Sequence, residues 1–447
     1  MGVVTMIAQL ILSLSILVVL HELGHFAPAK WFKTKVEKFY LFFDVKFALL
    51  KKKIGETEYG IGWLPLGGYV KIAGMVDESM DLEQMKQPAQ PWEFRAKPAW
   101  QRLIIMLGGV TVNFILGFLI FGMMLWVYGK EYIVNERLVN GIYVDSLGTD
   151  MGLRMGDRII TVGGDSLVEF SSGGLRRDIV LNNAREIVVL RNNERVTVNV
   201  DEKYVQLLSS NDYKDYPIAL PRVPFVVSET EKKSSAEKAG FKKGDKIISV
   251  DGKPVAFFDE AQKIIRASEG KTVSIGYLRD GVEQNVTALV SDGRVGIRPT
   301  QPKELGLTAR EEYTLAEAIP AGFRDGVSFM GDWFKGIGKL FQGKVKAKDS
   351  LGGFISITKL FPETWDWEAF WHITGVLSFI LAIMNLLPIP ALDGGHVMFL
   401  IWEVVTGKKP GDKFMEYATY VGFALILCLL VFANGLDLVR EVPKLFN

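Results

Sequence analysis

The sequence predicts an α-helical, four-pass membrane protein that also carries a membrane-associated β-hairpin and two inserted mixed α/β domains of related sequence. Three observations predict it: four charge-free windows, a glycine-rich stretch too short to span a bilayer, and an internal repeat with an offset of 88 residues. Composition agrees with such a mixture. The 447 residues are 49% hydrophobic and 23% charged, yet the mean hydropathy is +0.18, where ordinary charge content should put a soluble chain below zero. Some stretches must therefore be very apolar while others are normally polar. With 52 Lys+Arg against 51 Asp+Glu, no cationic excess is left for phosphate, which argues against a nucleic-acid partner. The single cysteine, Cys428, excludes an internal disulfide framework and a thiolate metal cluster.

Residues 1–20, 103–129, 369–392 and 417–436 contain no Asp, Glu, Lys or Arg. Each window reaches about 20 residues, the length a helix needs to cross a hydrocarbon core of roughly 30 Å. Soluble core helices rarely run so long without charge, so the windows predict spans over about 3–25, 103–128, 370–392 and 416–436. The first window lacks the basic stretch that normally precedes the apolar run of a signal peptide. It is read as a retained span. Lysines set the orientation. Lys30, Lys33, Lys35, Lys38, Lys46 and Lys51 to Lys53 follow the first span, and Lys408, Lys409 and Lys413 lie between the last two. Both sets belong inside, which puts both termini and the long 130–368 region outside. In a bacterium this means an inner-membrane protein with a periplasmic insert.

That insert contains the repeat. Gly152-Leu153, Gly156-Asp157, Ile159-Ile160, Val162 and Gly164 recur as Gly240-Phe241, Gly244-Asp245, Ile247-Ile248, Val250 and Gly252. A period this long marks a duplicated domain rather than a solenoid unit, giving domains over 130–221 and 222–305. The glycine-aspartate pattern resembles that of PDZ domains, which add an extended peptide, often a carboxyl terminus, to a sheet edge. Around the insert lie a first membrane part, 1–129, and a second, 369–447. Between insert and second part, 306–368 reads as an amphipathic helical region on the membrane surface, with Phe323, Phe329, Trp333 and Phe334 among lysines and glycines. Residues 48–74, with Gly60, Gly62, Gly67 and Gly68, read as the hairpin. Non-helical backbone can sit at membrane depth only when buried or lining a watery cavity, and its free edge could pair with an unwound chain.

The strongest chemical signal is His21-Glu22-Leu23-Gly24-His25. One helical turn separates the histidines, so both imidazoles leave one face and can grip a single Zn²⁺, while Glu22 can take a proton from a neighbouring water. Three ionisable residues at the end of an apolar run are costly and need a functional reason. A catalytic zinc usually takes three protein ligands. Asp393 is the candidate third, because it stands at the inner end of span three, on the same side as His25. His396 competes for that place, and His372 near the outer end of the span has no catalytic role. Pro388 and Pro390 cannot continue a helix and should free backbone groups at membrane depth.

Together with Leu392-Asp393-Gly394, the pentapeptide resembles the site-2 protease family of intramembrane zinc metalloproteases. The tandem PDZ-like insert and Pro65-Leu66-Gly67-Gly68-Tyr69-Val70-Lys71 narrow the likeness to the bacterial regulator of sigma-E protease type. The resemblance implies one zinc held by His21, His25 and Asp393, with Glu22 as general base. It puts Asn385, Pro388 and Pro390 near the substrate, and has the hairpin, including Gly60, Gly62, Gly67 and Gly68, clamp that substrate as an added strand. It implies substrates that are single-pass membrane proteins already trimmed outside by an upstream protease, such as an anti-sigma factor or a residual signal peptide. The PDZ-like pair would filter by size or read a new carboxyl terminus. The family's Gly-Pro pair before span three is replaced here by Gly352-Gly353. Two other readings stay open on the residues alone: a membrane-anchored zincin acting on soluble proteins, and a non-catalytic peptide receptor.

Overall fold

Among the described residues six long helices stand out: α1 (Gly2–Trp31), α2 (Ala99–Tyr128), α3 (Leu315–Phe341), α4 (Trp367–Leu386), α5 (Asp393–Thr406) and α6 (Asp412–Leu445). The computed structural model describes residues 2–75, 88–210, 213 and 216–445. Two compact units divide the chain: Met1–Gly129 with Glu312–Gly331 and Leu351–Asn447, and Lys130–Glu311 with Asp332–Ser350.

In the first unit, α1, α2, α4 and the Lys413–Glu441 part of α6 are long and apolar enough to cross a membrane. Their outward side chains are large and apolar: Ile115 is 52% exposed, Leu119 54% and Val421 68%. Some of their buried polar groups bond across helices. Thr374 Oγ1 donates to Ser13 Oγ at 2.9 Å, and Ser378 Oγ donates to the Asn113 carbonyl at 2.8 Å. Small residues and interhelical hydrogen bonds are what hold helices together where no hydrophobic drive separates them from their solvent. The α1–α2 crossing follows the same rule. A Cβ on Gly24 would stand 2.4 Å from the Gly108 carbonyl oxygen, so the two backbones approach as only glycines allow. Trp31 and Trp100 are exposed at one end of this pair, the position tryptophan favours at a membrane interface.

Three expectations are revised here. The third apolar window was read as helix to residue 392, but α4 stops at Leu386. Pro388 and Pro390 remove donors, and Ala391 has φ 139°, so the chain turns before α5 begins at Asp393. The hairpin expected over 48–74 is larger, with strands β1 (Val36–Ile54) and β2 (Thr57–Ile72). It is also curled. Tyr40 pairs with Tyr69 on one side and Gly60 on the other, while Lys51 to Ile54 pair back with Gly60 to Thr57. Lysines in β1 disguised its first half as a basic loop. A Cβ on Gly68 would meet Val18 at 2.6 Å, and one on Gly62 the Phe43 carbonyl oxygen at 2.2 Å, so these glycines serve the sheet's own packing. Finally, the amphipathic region is not a helix lying free on a surface. The part of α3 in this unit packs on α2, with Phe118 and Phe323 rings 4.6 Å apart.

The Gly352-Gly353 segment also acquires a role. Asp437 of α6, 2% exposed, accepts from the Gly353 and Ser356 amides at 2.9 Å each, and so ties α6 to the chain before α4.

The second unit contains the duplication. Strands 165–166, 158–162, 186–191 and 194–199 form one four-stranded sheet, and 253–254, 246–250, 272–279 and 282–289 form the other in the same order. The repeated aspartates have a common task. Asp157 receives Arg191 Nη2 at 2.8 Å and the Arg154 amide at 2.8 Å; Asp245 receives Arg279 Nη2 at 2.6 Å and the Lys242 amide at 2.8 Å. Both carboxylates are 1% exposed. Residues 308–311, expected within the amphipathic region, instead pair as a strand with 130–133.

Burial pushes the Asp245 carboxyl up, but Arg279 and the Lys242 amide hold it below the ordinary carboxylate range. A depressed native pKa contributes stability above the unfolded value, near 4, that is lost as pH falls through the native one. Breaking such a buried pair costs about 3 kcal/mol. Asp245→Asn is therefore expected to speed hydrogen exchange in strands 246–250 and 272–279 at neutral pH and to blunt their further loosening in acid. Unchanged exchange at neutral pH would contradict this.

Candidate metal centre

His21 and His25 lie one turn apart on α1, with ring centroids 4.8 Å apart and Nε2 atoms 3.2 Å apart. Asp393 is the first residue of α5, and its Oδ2 lies 3.3 Å from each Nε2. Both histidines are buried, 7% exposed each. The glycines after Asp393 permit this delivery. A Cβ on Gly394 would stand 2.3 Å from the Leu387 carbonyl oxygen and one on Gly395 2.5 Å from Pro390 Cα, so the start of α5 can lie against the 387–392 turn.

These three residues offer ligand atoms all within 4.8 Å of one another. Asp393 Oδ2 is buried without a hydrogen-bond partner among the described residues. Two imidazole nitrogens and one bare carboxylate oxygen suit zinc, which takes nitrogen and oxygen ligands and keeps a fourth position open in catalytic sites. The donor set fits the ion. His396 is not among the residues whose ligand atoms converge here. His372 stacks on Phe121 at 5.9 Å, as an interfacial packing residue would.

Contacts to the far ring nitrogens decide which nitrogen faces inward. His25 Nδ1 donates to the Ile105 carbonyl at 2.8 Å, leaving its Nε2 lone pair for Asp393's side. The Asn113 amide lies 3.0 Å from His21 Nδ1. With the amide nitrogen turned to His21, Asn113 Oδ1 is buried without a partner. With the amide reversed, that oxygen accepts the Nδ1 proton and His21 Nε2 is free to bind a metal. Gly109 provides the floor: a Cβ there would stand 2.3 Å from His25 Nε2.

Sequence reasoning missed Asn113, the Ile105 carbonyl and Gly109. A polar side chain and a glycine pair within a charge-free window were the available signals. Asn113→Leu is expected to weaken zinc binding about 10- to 100-fold, the usual cost of losing such a partner. Chelator competition on the full-length protein measures it, and an unchanged affinity would remove Asn113 from the site.

Glu22 lies within electrostatic reach of His21, His25 and Asp393, and the Val70 backbone amide interacts with its carboxylate. The β2 segment 68–72 thus runs beside the cluster. Asn385 Nδ2 stands 3.4 Å from His21 Nε2, so the structure brings this residue to the cluster. Pro388 and Pro390 instead border a cavity of about 360 Å³ shared with Phe414, Tyr417, Val421 and Leu425 of α6. Gly60, Gly62 and Gly67 lie in the curled sheet, next to Tyr40 or Phe43.

The model of peptidase family M50 matches residues 9–429. A Neisseria meningitidis serogroup A protein named "Putative zinc metalloprotease NMA0084" is 28% identical over 464 residues, covering 96% of this chain and 98% of its own. The regulator of sigma-E protease RseP of Escherichia coli is 27% identical over 470 residues, covering 98% of each chain. The regulator of sigma E protease of Haemophilus influenzae is 27% identical over 450 residues, covering 97% of this chain and 98% of its own.

Proposed function

The chain belongs to peptidase family M50 and is a zinc metalloprotease, and on that premise we propose that it cuts peptide bonds within the transmembrane segments of single-pass membrane proteins. What carries the proposal is one arrangement: the His21–His25–Asp393 cluster lies among helices long enough to cross a bilayer, with a strand edge beside Glu22.

His21, His25 and Asp393 hold one zinc in this reading. Bound there, zinc supplies a Lewis acid for a carbonyl oxygen and makes a neighbouring water easier to deprotonate. Glu22 takes the proton of the attacking water and returns it to the leaving amine. Asn113 and the Ile105 carbonyl keep the imidazoles in the productive tautomer. Asn385 has amide hydrogens to donate toward the carbonyl of a bound segment, where charge grows during attack. A helical substrate hides its carbonyls in its own hydrogen bonds, so it must unwind. The β2 edge at 68–72 offers backbone partners to the unwound segment, and Pro388 and Pro390 flank its path.

The protein acts in this reading in a bacterial inner membrane, with both termini and the PDZ-like pair periplasmic and the cluster nearer the cytoplasmic face. Substrates are proteins trimmed outside first, such as an anti-sigma factor or a residual signal peptide. The PDZ-like domains exclude untrimmed chains or bind new carboxyl termini. Mapping the cut in a trimmed single-pass substrate by mass spectrometry tests the central claim. A cut inside the apolar segment is expected; one in a soluble flank would replace this reading with that of a membrane-anchored zincin.

A further inference from the structure

We propose that the tip of the curled sheet is an apolar wedge with a lysine collar that recognises anionic phospholipid in the inner leaflet. The inference rests on the reading that the long apolar helices cross a bilayer.

The sheet climbs along α1. Val70 meets Glu22, and Gly68 lies against Val18. Leu41 pairs with Gly68 and with Ile61, and Ala48 pairs with Gly62, so the end of the sheet reaches the level of Val18. From His25 back to Val18 a helix rises about 10 Å. From Trp31, at the interface end of α1, the same rise amounts to about 20 Å, so the tip reaches past the interface to the level of acyl chains.

The surface of that end is apolar. Val45 is 50% exposed, Phe47 58%, Leu50 67% and Trp63 42%. It is also stiff, because Trp63 Nε1 donates to the Val45 carbonyl at 2.8 Å and the Phe47 and Trp63 rings stack at 5.9 Å. Surface of this kind in water is a liability; in acyl chains it is stabilising.

Charge begins where the wedge ends. Lys51, Lys52 and Lys53 pair across the sheet with Gly60, Tyr59 and Glu58, nearer the Gly55-Glu56 turn, and all three are exposed. Side chains alternate faces along a strand, so Lys52 projects opposite to Lys51 and Lys53 and cations rim both faces. Lys46 adds one more at the tip, where its stem can reach back to the interface. Among the described residues no carboxylate forms an ion pair with any of the four: Glu58 accepts from Tyr40 at 2.7 Å, and Glu56 sits exposed in the turn. With Lys46, Lys51, Lys52 and Lys53 against Glu56 and Glu58, this end of the sheet keeps a net positive charge, which complements a phosphodiester surface of net negative charge. Each lysine at such a surface favours the docked state about fivefold.

The test uses the full-length protein with Cys428→Ser and a spin label on Leu50→Cys, in phosphatidylcholine vesicles with or without about a third phosphatidylglycerol. Anionic lipid is expected to lower label collisions with an aqueous nickel chelate by about threefold, and about 1 M salt to abolish that response through screening. Lys51→Gln, Lys52→Gln and Lys53→Gln together should also abolish it. Equal collision rates in both vesicles, or a response indifferent to salt, would overturn the proposal even if the triple variant did not fold. Vesicle flotation separates the two levels. Protein that floats while its label stays wet defeats only the wedge, whereas protein that does not float defeats the membrane reading itself.

Discussion

Glu22→Gln is expected to reduce cleavage of a trimmed single-pass substrate by between about a hundredfold and ten-thousandfold, with the zinc content of the purified protein unchanged. The substitution keeps size and the contact with the Val70 amide, since an amide oxygen still accepts from it. It removes a carboxylate within electrostatic reach of the His21–His25–Asp393 cluster. Water then has no adjacent base, and the leaving amine has no acid. Glu22→Asp, one methylene shorter, should recover only part of the rate. Elemental analysis and mass-spectrometric product counting on the same sample separate loss of metal from loss of chemistry. Full zinc content with normal cleavage would mean that the base lies elsewhere.

Gly109→Ala should be nearly as damaging, although it adds one methyl group on a different helix from the histidines. The new Cβ would lie 2.3 Å from His25 Nε2 and 2.8 Å from His21 Nε2. His25 cannot swing aside freely, because its Nδ1 is held by the Ile105 carbonyl at 2.8 Å. Either the hydrogen bond breaks or α2 withdraws from α1, and the tight Gly24–Gly108 crossing opposes withdrawal. Zinc affinity is expected to fall about a hundredfold or more. Gly122→Ala on the same helix is the control, since its Cβ would meet nothing closer than 3.5 Å. If both variants bound zinc equally, the cradle assigned to Gly109 would be wrong.

Much of this centre can be read along the chain. Charge-free windows mark the apolar helices because the cost of a charge in hydrocarbon is paid residue by residue. The His21–His25 pair is legible because one helical turn is a local rule. Asp393 emerges from lysine placement, which is a property of segments. What stays hidden are contacts without a local cause. Asn113 reaches His21 across 92 residues and the Ile105 carbonyl reaches His25 across 80; no spacing rule links them. The sheet was underestimated because its strand alternation is broken by bulges and lysines, and span three was overextended because a hydropathy window does not register where two prolines end a helix. The Asp157–Arg191 and Asp245–Arg279 clamps sit at one repeat offset, so the arginines were discoverable in the repeat but lay beyond its glycine-rich core.

The turn after Leu386 also bears on biosynthesis. Asn385 stands 364 residues from His21 in the chain, and Asp393 follows it. Translation at roughly 5 to 20 residues per second leaves the histidine pair in the nascent chain for about 20 to 70 s before this turn is made. During that interval Asp393, the proposed third ligand, does not exist. In the proposed reading, a protease whose metal ligands are split between α1 and the start of α5 is thus kept latent by its own order of synthesis.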